Sequence, residues 1–126
     1  MKTAPKQYVP RTDGPVFEVL KKLAVEAAKR FGLPLAAVLP IVRQPKSSWC
    51  YGFCQYDQIH IAFREPGGAR VFHYALLDTL SHELAHLTCY DHDNRWMKLH
   101  LRILGWLVRE RDAFNKVRRA GREWRD

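Results

Sequence analysis

Residues 82–92 contain side chains that can bind a divalent metal ion and transfer protons. His82, Glu83 and His86 form the pattern H-E-x-x-H, and His92 follows His86 after five intervening residues. On an α-helix, side chains at positions i and i+4 lie one turn apart on the same face, so His82 and His86 project in the same direction. Both imidazoles can then reach one ion at about 2.0–2.1 Å. The spacing predicts a metal site that is built partly on one helix.

A third ligand has to come from beyond this helix, because catalytic zinc sites use three protein ligands. His92 supplies it if the helix ends near residues 89–90 and the chain then turns back. Residue types that favour turns and helix N-caps surround this position: Asp91, Asp93 and Asn94. Three neutral histidines leave a fourth coordination position open, which is typical of catalytic rather than structural zinc. We therefore predict one Zn²⁺ bound by His82, His86 and His92.

Glu83 is predicted to be the catalytic base. It lies about 100° round the helix from His82, where it can contact a water on the metal rather than the ion. Zinc lowers the pKa of bound water to about 7, so Glu83 can take a proton as water attacks a peptide carbonyl and deliver it to the leaving amine. The alternative is a chance pentapeptide on a solvated helix, with His92 an ordinary loop residue. The apolar helical pattern, the third histidine and the turn residues favour the metal site.

The segment HELAHLTCYDHDNRW resembles the active-site segment of the small WLM, YgjP-type and SprT-like zinc metallopeptidases. In the WLM and YgjP types the third histidine also follows after five residues, and an aromatic residue comes soon after, as Trp96 does here. The preceding SSWCYGFCQYDQIHIAF resembles their small sheet. The resemblance covers residues 49–104 and implies a zinc metalloendopeptidase that acts on a protein or peptide. It also implies an α+β, minimal zincin-like fold with an N-terminal helix, a small three-stranded sheet, a metal-binding helix and a C-terminal supporting helix.

Charge and cysteine usage bear on partners and compartment. SprT-like proteins often carry a cysteine-rich zinc ribbon, which the three scattered cysteines of this chain cannot supply. Such cysteines are typical of reduced thiols in a cytoplasmic protein, and the alternative is a Cys50–Cys54 disulfide. The net charge is +8, with basic residues concentrated at both ends. This is typical either of a solvated surface or of a protein with an acidic partner. DNA or a DNA-bound protein is thus a candidate partner, and a zincin scaffold that binds nucleic acid with little turnover is the alternative function.

The length of 126 residues fits one domain. We predict an extended arm over residues 1–12, where Pro5 and Pro10 exclude regular helix. Residues 13–126 are predicted to form a single metallopeptidase-like domain whose tail, 109–126, is basic and helical. No run approaches the roughly 18 apolar residues of a membrane span, and the first residues lack the apolar stretch of a secretory signal. We therefore expect no membrane association.

Hydrophobic periodicity predicts the elements that position these residues. Apolar residues at helical spacing predict helices over 15–31, 72–89 and from 94 to at least 108. Strands are predicted over 38–43, 49–54 and 58–64, with a turn near Tyr56 and Asp57. Asp78 or Asp91 is a candidate to orient the second nitrogen of a ligand. His100 is predicted to lie on the exposed side of the third helix.

The strand over 58–64 is the candidate for substrate binding. An edge strand beside the metal helix can pair with substrate backbone, which makes Ile59, His60 and Ile61 candidate substrate-binding residues. The alternatives are a central strand without a free edge and, for His60, a surface histidine. Tyr90 is a further candidate because its hydroxyl could donate to an oxyanion; the alternative is a packed tyrosine.

Overall fold

The computed structural model describes residues 13–42 and 44–122. The arm predicted over residues 1–12, residue 43 at the end of the first predicted strand, and residues 123–126 of the tail lie outside the described residues. The described chain contains four α-helices and a three-stranded mixed sheet, which confirms the predicted α+β class. In chain order the elements are α1 (Gly14–Phe31), β1 (Ala37–Ile41), β2 (Gly52–Gln55), β3 (Gln58–Ala62), α2 (His73–His86), α3 (Asn94–Arg109) and α4 (Ala113–Arg122).

The N-terminal helix α1 matches its predicted bounds to within one residue. Its apolar side, including Leu20 and Leu23, is buried in the core. Gly32 ends the helix in the left-handed conformation, with a φ of 66°, which glycine adopts without steric cost. At the other end the buried carboxylate of Asp13 accepts hydrogen bonds of 3.0 and 3.1 Å from the Arg64 guanidinium. This pair joins the start of α1 to the segment just after β3.

The sheet order is β1-β3-β2, with β1 parallel and β2 antiparallel to β3. Because β3 is hydrogen-bonded on both sides, the prediction that it forms a free edge is wrong. Ile59 and Ile61 point into the core and are 0% exposed, so they cannot contact a substrate. His60 lies on the opposite face of the sheet, where its ring stacks on Phe53 with centroids 4.1 Å apart. The strand that does lie at an edge and also contacts α2 is β2.

The metal-motif helix α2 is packed on several sides. It contacts β2 and β3 as well as the other three helices. Leu77, Leu80 and Leu84 are fully buried, which confirms the apolar periodicity from which this helix was predicted. Burial of these leucines sets the rotation of α2 about its axis. His82 and His86 consequently project from the side that meets the start of α3, where both contact Trp96.

The tail forms a separate helix, α4, instead of continuing α3. The chain turns between them at Asp112, whose φ is 50°, so two helices follow the motif where one supporting helix was predicted. Val117 is buried and Phe114 partly buried against the core. Arg119 is exposed and pairs with Asp112 at 3.6 Å; binding of nucleic acid by this tail stays a prediction. Within the described residues, no helix has the length and apolar character that crossing a bilayer requires.

Candidate metal centre

The end of α2 and the start of α3 together place His92. α2 ends at His86, earlier than the predicted residues 89–90, and the Cys89 N–H donates to the Ala85 carbonyl at 3.0 Å as the chain leaves the helix. Asp93 then caps α3 by accepting a hydrogen bond of 3.0 Å from the Trp96 backbone N–H. Between these two anchored ends the chain folds back. The third histidine therefore returns to the face of α2 that carries the first two.

The three imidazoles converge through their Nε2 atoms. The Nε2–Nε2 distances are 3.1 Å between His82 and His86, 2.9 Å between His86 and His92, and 3.1 Å between His82 and His92. Tetrahedral nitrogen ligands at 2.0–2.1 Å from one ion lie about 3.3 Å apart, so the observed triangle fits a single ion closely. The predicted grouping of these three residues as a site able to hold a metal ion is confirmed.

The hydrogen bonding of His86 also favours a cation. Its Nδ1–H donates to the Cys89 carbonyl at 2.9 Å, so its Nε2 carries the lone pair. That lone pair faces two further Nε2 atoms, an arrangement that hydrogen bonds among three neutral rings satisfy poorly and a positive ion satisfies well. The partner that orients this ligand is thus a backbone carbonyl rather than the predicted Asp78 or Asp91. Such partners set the tautomer and the orientation of a ligating ring.

Trp96 forms a wall that all three imidazoles contact. Its ring centroid lies 4.6 Å from His82, 5.5 Å from His86 and 4.6 Å from His92. Its indole Nε1–H donates to the His82 carbonyl at 3.3 Å. From the sequence, Trp96 stood out only as the aromatic residue that follows the motif. Its spacing of four residues from His92 and its place in the first turn of α3 were the available signals for a structural role at the site.

Replacing Trp96 by phenylalanine is expected to weaken zinc binding by about tenfold, because loss of a group that orients metal ligands typically costs about 10- to 100-fold in affinity. Competition against a chelating dye measures this. Trp106→Phe is the matched control on the same helix, since Trp106 packs against Phe31 instead. Equal zinc affinity in both variants would show that the Trp96 wall does not organise the ligands.

Burial changes the proton affinities of two side chains at the site. Glu83 is 5% exposed, and burial raises its pKa to about 7. Its Oε2 lies 3.9 Å from His82 Nε2, beyond hydrogen-bond distance but beside the triangle of nitrogens. Burial and the neighbouring His86 and His92 lower the pKa of His82 to about 4. The neutral form of His82, which a metal requires, is therefore favoured.

A cleft of about 200 Å³ opens beside these residues, between β2 and α2. Its lining consists of Tyr51, Gly52, Asp78, Thr79, His82 and Glu83. Gly52 allows the edge strand to approach the helix closely: a Cβ atom there would lie 2.6 Å from the His60 carbonyl oxygen and 2.7 Å from Thr79 Cγ2. The wall that faces Glu83 across the cleft is therefore β2, and not the strand over 58–64 that was predicted to bind substrate.

Replacing Gly52 by alanine is expected to reduce the free energy of unfolding by about 1–3 kcal/mol, the usual cost of overpacking, since the β3 backbone limits relaxation. Urea denaturation measures the change. Gly67→Ala is the control, because nothing lies within 4 Å of a Cβ at that loop position. An unchanged urea midpoint for Gly52→Ala would contradict the close packing of β2 on α2.

The other predicted substrate residues lie away from this cleft. His60 is absent from its lining because strand alternation directs its ring to the far face of the sheet, which leaves the surface-histidine alternative. Tyr90 lies between α2 and α3 and is 81% exposed, so the packed-tyrosine alternative is wrong. Donation from its hydroxyl to an oxyanion stays a prediction.

His100 is buried, contrary to its predicted exposure. It is 7% exposed, and its Nε2 lies 3.2 Å from Asp78 Oδ1. The positions of Trp96, His100 and Ile103 follow helical spacing, so His100 shares the buried side of α3. Its polarity suggested exposure, but a carboxylate on α2 satisfies one of its ring nitrogens.

Comparisons of the chain with protein-family models, curated proteins and solved structures find no match. The resemblance to the WLM, YgjP-type and SprT-like peptidases therefore stays a prediction from the motif residues. The three-histidine geometry is a property of the folded chain and does not depend on that resemblance.

Proposed function

We propose that this chain is a zinc-dependent metallopeptidase, of the WLM, YgjP-type or SprT-like kind, that hydrolyses peptide bonds with Glu83 as general base. One observation carries the proposal: three imidazole Nε2 atoms lie within 3.1 Å of one another beside a buried carboxylate in an open cleft. A solvated helix that carried the motif by chance would not require its histidines to converge with one from a separate loop.

The donor set supports zinc as the metal. Imidazole ligands suit zinc, copper, iron and nickel, and three histidines that leave one position open match a catalytic zinc site. Bound Zn²⁺ would act as a Lewis acid towards the peptide carbonyl and lower the pKa of its water to about 7. His82, His86 and His92 would hold the ion, and Trp96 would keep their rings in place.

Glu83 has the properties of a general base for this reaction. In the metal-free chain, burial raises the pKa of its carboxylate to about 7, and a base is most effective when its pKa is near the working pH. It accepts a proton from the attacking water and passes it to the amine that leaves. The ion pairs of the described residues include no Lys or Arg with Glu83, so its proton exchange is not blocked by a fixed cation.

Substrate backbone is proposed to pair with β2 instead of β3. β2 has a partner on one side only within the described sheet, and it borders the cleft through Gly52. Peptides commonly bind as an added strand at such an edge, where main-chain hydrogen bonds supply affinity. The close packing of Gly52 over Glu83 would bring the paired backbone next to the base.

The test combines metal analysis with a cleavage assay. Protein purified without added zinc is expected to contain about one zinc per chain, by elemental analysis. It is expected to cleave an unfolded protein substrate, to lose that activity on chelation and to regain it when zinc is returned. Zinc binding without any cleavage would favour the alternative of a binding module, and chains without metal would contradict both.

A further inference from the structure

Asp78 is a charged residue of the cleft that the proposed chemistry does not use. It lies on α2 one turn before His82, on the same face of the helix, and lines the cleft with Glu83 and Tyr51. Its side chain is 49% exposed, whereas that of Glu83 is 6% exposed. Asp78 is not among the three metal ligands. Its carboxylate is therefore open to a molecule that enters the cleft.

The buried side chain of His100 contacts the carboxylate of Asp78 and holds it in position. His100 Nε2 lies 3.2 Å from Asp78 Oδ1, and the imidazole side chain is 9% exposed. Its Nδ1 is buried without a hydrogen-bond partner, so Nε2 is the nitrogen that carries the proton and donates to Asp78. The His100 ring stacks on Trp96 with an interplanar angle of 4°. A carboxylate anchored in this way loses little side-chain entropy when it binds a further group.

Apart from the contact with His100, the described lining of the cleft offers Asp78 no strongly basic partner. Among the described residues that line the cleft, none is Lys or Arg. At the rim, the Tyr51 hydroxyl donates to Glu65 Oε1 at 3.3 Å, and the Glu65 charge raises the pKa of Tyr51. Glu65 itself lies outside the lining of the cleft, whose carboxylates are Asp78 and Glu83. Of these two, only Asp78 is half-exposed, so it is the negative group that a cationic side chain entering the cleft would meet.

We propose that Asp78, anchored by His100, is a specificity-determining residue that selects peptides with a Lys or Arg side chain next to the bond that is cleaved. The proposal rests on the proposed peptidase function. The free carboxylate oxygen accepts a charge-assisted hydrogen bond from the ammonium or guanidinium group, which is roughly twice as strong as a neutral hydrogen bond. Asp78 acts here on substrate binding and takes no part in proton transfer.

The experiment uses binding as well as turnover. Matched peptides carry lysine, its neutral analogue norleucine, or glutamate at each position that flanks the scissile bond. Their affinities for zinc-loaded Glu83→Gln protein are measured by calorimetry, and kcat/KM is measured with the unmodified chain. At one flanking position, lysine is expected to bind about tenfold more tightly than norleucine, and glutamate more weakly than both.

Asp78→Asn is the informative variant, because asparagine can still accept from His100 Nε2 but carries no charge. Added to the Glu83→Gln protein, it is expected to bring the lysine-to-norleucine affinity ratio close to one. Asp57→Asn, at the exposed β2–β3 turn, is the matched control and is expected to retain the tenfold ratio. Zinc content is measured for every variant, so that loss of metal is not mistaken for loss of specificity.

The outcomes separate this proposal from the proposed function. Cleavage without a preference for lysine would overturn the role of Asp78 and leave the peptidase function standing. Equal weakening of all peptides by Asp78→Asn would also overturn it, since that result indicates a structural role. Lysine-selective binding that depends on Asp78, in a chain that cleaves nothing, would support the recognition site and contradict the peptidase function.

Discussion

Replacing Glu83 by glutamine is expected to lower kcat/KM for peptide hydrolysis by about 10²- to 10⁴-fold while zinc remains bound. Glutamine has the shape of glutamate but accepts no proton at neutral pH, and general acid–base catalysis contributes a factor of that size. The three imidazoles are untouched by the change, so metal content is expected to match that of the unmodified chain. Steady-state cleavage of a fluorogenic peptide and elemental analysis of the same samples measure the two quantities.

Stability provides a second measurement for the same variant. Because burial raises the pKa of Glu83 to about 7, the folded protein without metal holds the charged form at a cost. The neutral glutamine avoids that cost, so the metal-free variant is expected to be at least as stable as the unmodified chain at pH 8. Glu18→Gln, on the exposed side of α1, controls for a general effect of charge. Equal cleavage rates for Glu83→Gln and the unmodified chain would rule out the base assignment.

Replacing His92 by alanine is expected to weaken zinc binding by about 10³-fold, since zinc sites gain about 10–16 kcal/mol from about four ligands. His92 is the most informative of the three ligands because it is exposed and lies outside the helices. The fold is therefore expected to survive its loss. Activity at micromolar zinc is expected to disappear together with the bound metal.

Thermal unfolding with and without zinc tests the same variant independently of activity. A ligand that binds only the folded state raises the melting temperature, so zinc is expected to stabilise the unmodified chain and not His92→Ala. His60→Ala is the control, because His60 lies on the far face of the sheet and its loss is expected to leave the zinc response intact. Full zinc stabilisation of His92→Ala would show that the loop histidine is not a ligand.

The metal site was predictable because its parts are close in the sequence. Helical geometry places residues four apart on one face, so His82 and His86 had to project together once the apolar periodicity predicted a helix over this segment. The turn and cap residues, of which Asp93 does cap α3, allowed the return of His92 to be expected. α2 ends earlier than predicted, but His92 still reaches the other two histidines, because the loop between α2 and α3 is correspondingly longer.

The sheet order could not be obtained in the same way. Alternation of Ile59, His60 and Ile61 predicts a strand with one buried face, and it is equally consistent with an edge or a central position. β3 is central because β1, from a separate part of the chain, pairs with its other side. The position of His100 depended likewise on Asp78, a partner on another helix.

The sequence by itself determined the residue types, the helical spacing of the ligands and the presence of a nearby carboxylate, since these follow from backbone geometry over one or two turns. Only the tertiary structure decided which strand borders the cleft, which aromatic ring contacts the three imidazoles (Trp96), and which residue anchors Asp78 (His100). Those features join segments that are distant along the chain. Their pairing depends on packing and burial among whole elements, which local periodicity does not encode.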